Sequence, residues 1–274
     1  MKKPLIIFLG LIAVLVLCLI ALSQREKSDS SDHSPADTLT LYCAAGLRNP
    51  VSDIIDQYTS ETGRKVTVIY NGSGALLSQI QLGKGDLYLP ANIFYIREAQ
   101  KLGLAADETI PVSYLTAKII VRKNNTSIQS LDDLAKPGVR ISFANKSAAI
   151  GKFTRKILTE NRLLKKIEAN IIVTKPTVNS IIQDVTLGSA DATIAWGALA
   201  VNSPELRTIE VPIFTAQKSL ASITLLRSTR NPAKAMHLAR YISANDKGLE
   251  TFKSYGFETH SPTKKEKELP KASL

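Results

Sequence analysis

The chain has 274 residues, 44% of them hydrophobic, which is enough to bury one large core or two modest ones and excludes disorder as its default state. With 35 Lys+Arg against 24 Asp+Glu the formal net charge is +11, yet the basic residues are scattered and aromatics are only 6%. Nucleic-acid binding asks for basic and aromatic residues interleaved on one surface, so a basic chain of this kind faces anionic lipid, gathers anionic solutes, or simply keeps a solvated surface.

Met1-Lys2-Lys3 precede an apolar run from Pro4 to Leu22, and Ala21-Leu22-Ser23 offers a small-x-small site before Gln24. Residues 1–23 are therefore expected to be an export signal or, because the run approaches the ~20 residues that span a bilayer, an uncleaved membrane anchor. Cys18 follows Leu17 where a lipidation site carries a small residue, so a lipoprotein is not expected. Residues 24–38 lack large apolar side chains and read as a flexible linker. Residues 262–274, rich in Lys and Glu, read as a disordered tail. Once the leader is gone, Cys43 has no partner for an internal disulfide, and with no histidine nearby in sequence it reads as a buried apolar residue.

Leu39, Leu41 and Cys43 alternate as a strand does, the turn Ala44-Ala45-Gly46 follows, and Val51, Ile54, Ile55 and Tyr58 recur at helical spacing. The pattern repeats at once: Val66, Val68 and Tyr70, then Asn71-Gly72-Ser73-Gly74, then Leu76, Leu77, Ile80 and Leu82. Each small-residue turn before a helix delivers free N–H groups and a positive helix end to the carboxyl edge of a parallel sheet, which is a cradle for an anion. The second turn equally fits a plain glycine-rich connection. Ser73 is the best hydroxyl donor, Arg48 is expected to face solvent, and Asp86, also expected near the strand ends, reads as a hinge or capping carboxylate that repulsion keeps off an anion.

The apolar runs at 115–121 and 222–226 are expected to cross between two lobes, giving a first lobe at 39–117, a second at 118–221 and a return to the first at 222–261. Within the second, a helix start at 130–134, a Pro137-Gly138 turn, strands at 139–144, 169–173 and 191–196, and helices at 151–160 and 178–187 alternate as α/β proteins with parallel sheets do. Residues 145–151 and Lys175-Pro176-Thr177-Val178 repeat the cradle pattern, with Thr177 as a helix N-cap. Trp196, the only tryptophan, ends a strand at the level of the cleft; it reads either as core or as a cleft residue whose indole N–H donates without accepting. The segments 232–243, 248–252 and 255–257 are expected to pack on the first lobe. His33, His237 and His260 have no metal-ligand spacing, and the chain carries no GxSxG, GxxxxGK[ST] or HExxH motif, so no enzyme and no metal site are expected.

Taken in order across 39–258, AAGLRNPVSDI, NGSGALLSQI, GDLYLPA, SLDDLAKPGVRISFAN, KPTVNSIIQDV and KSYGF resemble the molybdate-binding proteins of ABC transporters, within the type II periplasmic solute-binding protein family. The resemblance implies an α/β, two-lobed type II periplasmic-binding-protein fold, each lobe a mostly parallel sheet flanked by helices, joined by a two-strand hinge. It implies a periplasmic or otherwise extracytoplasmic monomer, tethered if the leader stays, that passes a tetrahedral oxyanion to an ABC permease in the inner membrane. The ligand would be molybdate, with no cofactor and no metal other than that of the oxyanion itself. By position, Ser73 matches the family's second-loop serine, and Ile150 and Val178 match residues that donate backbone N–H. Gly46 and Trp196 replace a serine and a tyrosine, so two hydroxyl donors are missing from the expected set of Gly46, Ser73, Ile150, Val178 and Trp196. A hydrogen bond to a charged ligand is worth about 1.5–3 kcal/mol, enough to change which anion is preferred. Tungstate, a sulfate-like oxyanion or a small carboxylate using Arg48 therefore remain open, as does a membrane-anchored ligand sensor and, third, an enzyme on the same fold.

Overall fold

The computed structural model describes residues 38–259; the expected leader, the linker up to 37 and the tail at 262–274 lie outside them. The chain order of strands is β1 (Leu39–Ala44), β2 (Val66–Asn71), β3 (Leu87–Leu89), β4 (Ile110–Leu115), β5 (Ala117–Arg122), β6 (Ile141–Ala144), β7 (Ile171–Lys175), β8 (Ala192–Trp196), β9 (Leu206–Ile209), β10 (Ser219–Leu225) and β11 (Glu258–Thr259). The helices are α1 (Arg48–Thr62), α2 (Ser73–Leu82), α3 (Ile93–Lys101), α4 (Ala149–Glu160), α5 (Leu164–Glu168), α6 (Val178–Thr186), α7 (Pro212–Thr215), α8 (Pro232–Ser243) and α9 (Gly248–Ser254).

Two mixed sheets result, each flanked by helices: β11-β4-β10-β3-β1-β2 in the first lobe and β7-β6-β8-β5-β9 in the second. The alternation of strand and helix correctly foretells a parallel core in each, β3-β1-β2 and β7-β6-β8. The remaining strands join antiparallel. β1 and β8 lie inside their sheets and are buried on both faces, which is why every residue of β8 from Ala192 to Trp196 is buried and all but Thr193 are apolar, with no alternation. α1 buries Val51, Ile54, Ile55 and Tyr58, the residues at helical spacing in the sequence, and ends at Gly63, whose φ of 69° suits glycine and whose N–H closes on the Thr59 carbonyl. Tyr58 in turn packs edge-on against Tyr241 of α8 with ring centroids 5.1 Å apart, so the C-terminal helices do return to the first lobe.

The chain changes sheet twice. Thr116 alone separates β4 from β5, in the expected first crossing. The second crossing lies at 210–218 and not at the apolar run 222–226, which is the carboxyl-terminal part of β10 and the residue after it. Ser219 is already in the first sheet: it opposes Leu115 in antiparallel register, its hydroxyl donates to the Ala91 carbonyl at 2.8 Å, and it accepts from Asn92 Nδ2 at 2.6 Å. The run 222–226 is apolar because β10 is sandwiched between β3 and β4, a demand that sequence alone does not separate from a crossing.

Candidate ligand-binding cleft

β1, β2 and β3 run parallel in one sheet and β6, β7 and β8 in the other, and the residues at or just past the carboxyl ends of all six line one small cavity. Its volume is about 20 Å³, room for a single water. All five residues expected at the site, Gly46, Ser73, Ile150, Val178 and Trp196, are among its walls. No lining side chain is ionisable; the rest of the wall is mainly alanine, glycine and the Asn71 amide.

Ser73 is 1% exposed and opens α2. Its hydroxyl accepts the Ala91 N–H at 3.2 Å, which leaves its own hydrogen free to donate. Its carbonyl is pinned by the Tyr88 hydroxyl at 2.6 Å. In the second lobe, Asn145 Oδ1 accepts from the N–H groups of Ser147 and Ala148 at 3.1 and 3.2 Å and from the Ser147 hydroxyl at 2.6 Å. That local turn sets the chain so that α4 starts at Ala149 and the N–H groups of its first turn, Ile150 among them, lack intrahelical partners. Thr177 is the N-cap of α6 as expected, accepting from Ser180 N at 3.2 Å, and the α6 end at Val178 faces the same cavity.

Gly46 and Trp196 fit together. A Cβ on Gly46 would lie 2.8 Å from Val178 Cγ1 and 3.4 Å from Trp196 Cδ1, the carbon beside the indole nitrogen. The space that a side chain at 46 would need is therefore occupied by Val178 and by the pyrrole edge of Trp196. The two readings of Trp196 are not exclusive: it is 1% exposed, packs on Phe153 with centroids 5.4 Å apart, and still forms part of the cavity wall.

Sequence reasoning did not foresee how the two lobes touch beside the cavity. The Gly74 N–H donates across the cleft to the Ser147 carbonyl at 2.8 Å. A Cβ on Gly72 would lie 2.6 Å from the Pro176 carbonyl, and one on Gly74 would lie 2.7 Å from that of Ser147, so both glycines admit backbone from the other lobe. Tyr95 stands against the same loop, and burial pushes its phenol up to about 12, keeping it protonated. Ala91 was also missed as a lining residue, since alanine carries no chemical signal.

Arg48 is exposed and stacks on Tyr70 with its guanidinium carbon 4.0 Å from the ring centroid, as expected for a solvent-facing residue. Asp86 is not near the cleft. Its carboxylate accepts from Thr40 N at 2.8 Å, at the amino-terminal end of β1, and from the Thr229 hydroxyl, so it ties strand starts together at the opposite edge of the sheet. The residue precedes β3 rather than ending it, which reverses the edge assigned from sequence. His237 bonds the Tyr58 hydroxyl at 3.2 Å, while His33 and His260 lie outside the described residues. No group of three or more His, Cys, Asp or Glu that could hold a metal occurs among the described residues. Cys43 is buried in β1 and its thiol is pushed up by desolvation. No helix among the described residues is long and apolar enough to cross a membrane.

Two mixed α/β sheets with a cavity where their parallel strands point at one another define the class of two-lobed periplasmic binding proteins. Residues 39–258 match the family of bacterial extracellular solute-binding proteins, and the chain belongs to that family, one of solute binders acting outside the cytoplasm. A Haemophilus influenzae chain known by a provisional binding-protein name is 30% identical over 226 residues, 81% of this chain and 91% of its own length. Among solved structures, the periplasmic molybdate-binding protein of Azotobacter vinelandii superposes with a TM-score of 0.70 at 17% identity, covering 82% of this chain and 99% of its own. PEB3 of Campylobacter jejuni, solved with L-phospholactate bound, superposes at 0.64 with 20% identity, covering 81% and 100%. At such identities the structural likeness establishes the fold alone.

Proposed function

We propose that this chain captures a tetrahedral oxyanion between its lobes and delivers it to an ABC permease of the inner membrane, working as an extracytoplasmic monomer. The observation that carries the reading is the convergence of six parallel-strand ends from both lobes on one cavity without an ionisable side chain. The N–H groups at Gly46, Ile150 and Val178, the Ser73 hydroxyl and the Trp196 indole are the proposed donors, and fixed dipoles of this kind hold a charged ligand without a counter-ion. Because the cavity has room only for a water, the solute enters by separation of the lobes about Thr116 and 210–218 and is enclosed as they close, a hinge movement common to such folds. Molybdate is the first ligand to test, given the sequence resemblance and the Azotobacter neighbour.

A second reading, a small organic anion presenting a carboxylate to the same donors, is favoured by the filled space beside Gly46, which suits a planar three-atom head better than a five-atom tetrahedron. Isothermal calorimetry with molybdate, tungstate, sulfate, phosphate and phospholactate tests both. Saturable binding of molybdate or another of the inorganic tetrahedra supports the first reading, binding of phospholactate alone supports the second, and no binding of any of the five overturns the assignment.

A further inference from the structure

A second cavity, of about 430 Å³, adjoins the small one and shares Ala149 with it. That volume falls within the range of sites for small molecules. Its walls combine the rings of Phe94, Tyr95 and Phe153 with the ammonium groups of Lys152, Lys156 and Lys218, and no Asp or Glu lines it. Lys152 and Lys156 stand at i and i+4 on α4, one face of the helix, with Phe153 and Ile157 forming an apolar row beside them. Lys152 reaches across the cleft, its Nζ 3.9 Å from the centroid of Phe94 on α3. That contact is with a ring and not with an acid, so the positive charge is left uncompensated. Lys156 is only loosely paired with the exposed Glu160 at 3.8 Å. Lys218 holds Glu258 at 2.6 Å.

The contrast with the cavity of about 340 Å³ near Thr116 is informative. There Lys118 is tied to Glu210 at 2.8 Å, and Arg207 spends its guanidinium on the carbonyls of Asn125 and Ile128 at 2.6 and 2.7 Å. Its cations are committed to structure, whereas the ammoniums of Lys152 and Lys156 are available.

We propose that the lysine-lined groove is a second binding site, for a small organic dianion with a flat apolar body. The ammoniums take the charge and the aromatic walls take the body. Because Phe94 and Lys152 belong to different lobes, its occupant also favours the closed form. The inference stands independently of which solute the small cavity holds.

Phenyl phosphate is a suitable probe, with inorganic phosphate as control and Ser73→Ala as a reporter for the small cavity. Calorimetry is expected to show saturable binding of phenyl phosphate to the wild-type protein, weakened about tenfold or more by Lys152→Gln/Lys156→Gln with the melting temperature unchanged, and weakened also by Phe94→Leu. Raising the salt concentration should weaken it further, as for any half-exposed charge pair. Failure of phenyl phosphate to bind overturns the proposal, as does unchanged affinity in the lysine double variant. Inorganic phosphate binding as tightly as phenyl phosphate, and weakened as much by the lysine double variant, would overturn the stated ligand class. Loss of phenyl phosphate binding in Ser73→Ala equal to that in the lysine variant would place the probe in the small cavity and overturn the separate site.

Discussion

Gly46→Ser is the substitution that most directly tests how this cleft is built, because it returns a side chain to a position where Val178 and Trp196 have taken the space. The new Cβ would meet Val178 Cγ1 at 2.8 Å, well inside the ~3.5–4.0 Å of a comfortable carbon contact. Val178 opens α6 and is β-branched, so its side chain has little rotameric freedom to swing aside. Overpacking of this kind costs about 1–3 kcal/mol. Gly46 follows β1 and Val178 follows β7, so the clash lies between lobes and a small opening of the cleft relieves it. The cost therefore falls on closure and not on folding: affinity for the best-binding oxyanion should drop roughly 5- to 150-fold, with the melting temperature unchanged. Adding Val178→Ala removes the clashing methyl and should restore most of the affinity. Calorimetry and thermal unfolding on the three variants decide the matter. Wild-type affinity in Gly46→Ser, or a loss of melting temperature that Val178→Ala does not reverse, would refute the proposed contact between lobes.

Ser73→Ala should weaken oxyanion binding by about 1.5–3 kcal/mol and also cost about 1–3 kcal/mol of stability, since the Ala91 N–H loses its acceptor; calorimetry and urea unfolding read the two losses separately. Trp196→Phe should abolish the ligand-induced change in tryptophan fluorescence and weaken binding by about 1.5–3 kcal/mol, and unchanged affinity would leave Trp196 as packing only. Cys43 should resist maleimide at pH 8 in the native protein and react on denaturation, because burial in β1 raises its thiol and blocks access. Arg140 holds the Asp191 carboxyl below the usual carboxylate range, so the pair's contribution to stability is present above that range and is lost as the pH falls through it. Arg140→Gln should therefore flatten the fall in melting temperature below about pH 4.

The cradles after β1, β2 and β7 were legible because small residues between an apolar strand and a helix leave a local signature, and Thr177 announces its cap directly. Ser73 could be singled out as the hydroxyl of the glycine-rich turn after β2. What could not be read is what depends on partners distant in sequence. Nothing at Gly46 reveals that Val178 fills its side-chain space, and nothing at Gly72 or Gly74 reveals the carbonyls of Pro176 and Ser147 that need their bare backbones. The second crossing was misplaced for the same reason, burial within a sheet and burial between lobes giving the same apolar run. α3 was missed despite a local signal, the Asn92 side chain capping it by accepting from Phe94 N at 2.8 Å. Asp86 was placed at the wrong edge because a short strand, Leu87–Leu89, offers little pattern to show which end is which.

The absence of ionisable side chains from the wall of the small cavity has an electrical consequence. A site built on carboxylates or histidines trades protons with the buffer when an anion arrives, and part of the ligand's charge is cancelled on the spot. Here nothing in the wall can gain or lose a proton, so if the ligand is, as proposed, an oxyanion fully deprotonated at neutral pH such as molybdate or sulfate, the heat of binding should not depend on the ionisation enthalpy of the buffer. The full valence of the anion is then subtracted from the net charge of the protein. A chain that is strongly basic when empty becomes measurably less so when loaded, and the two forms should part on a cation exchanger.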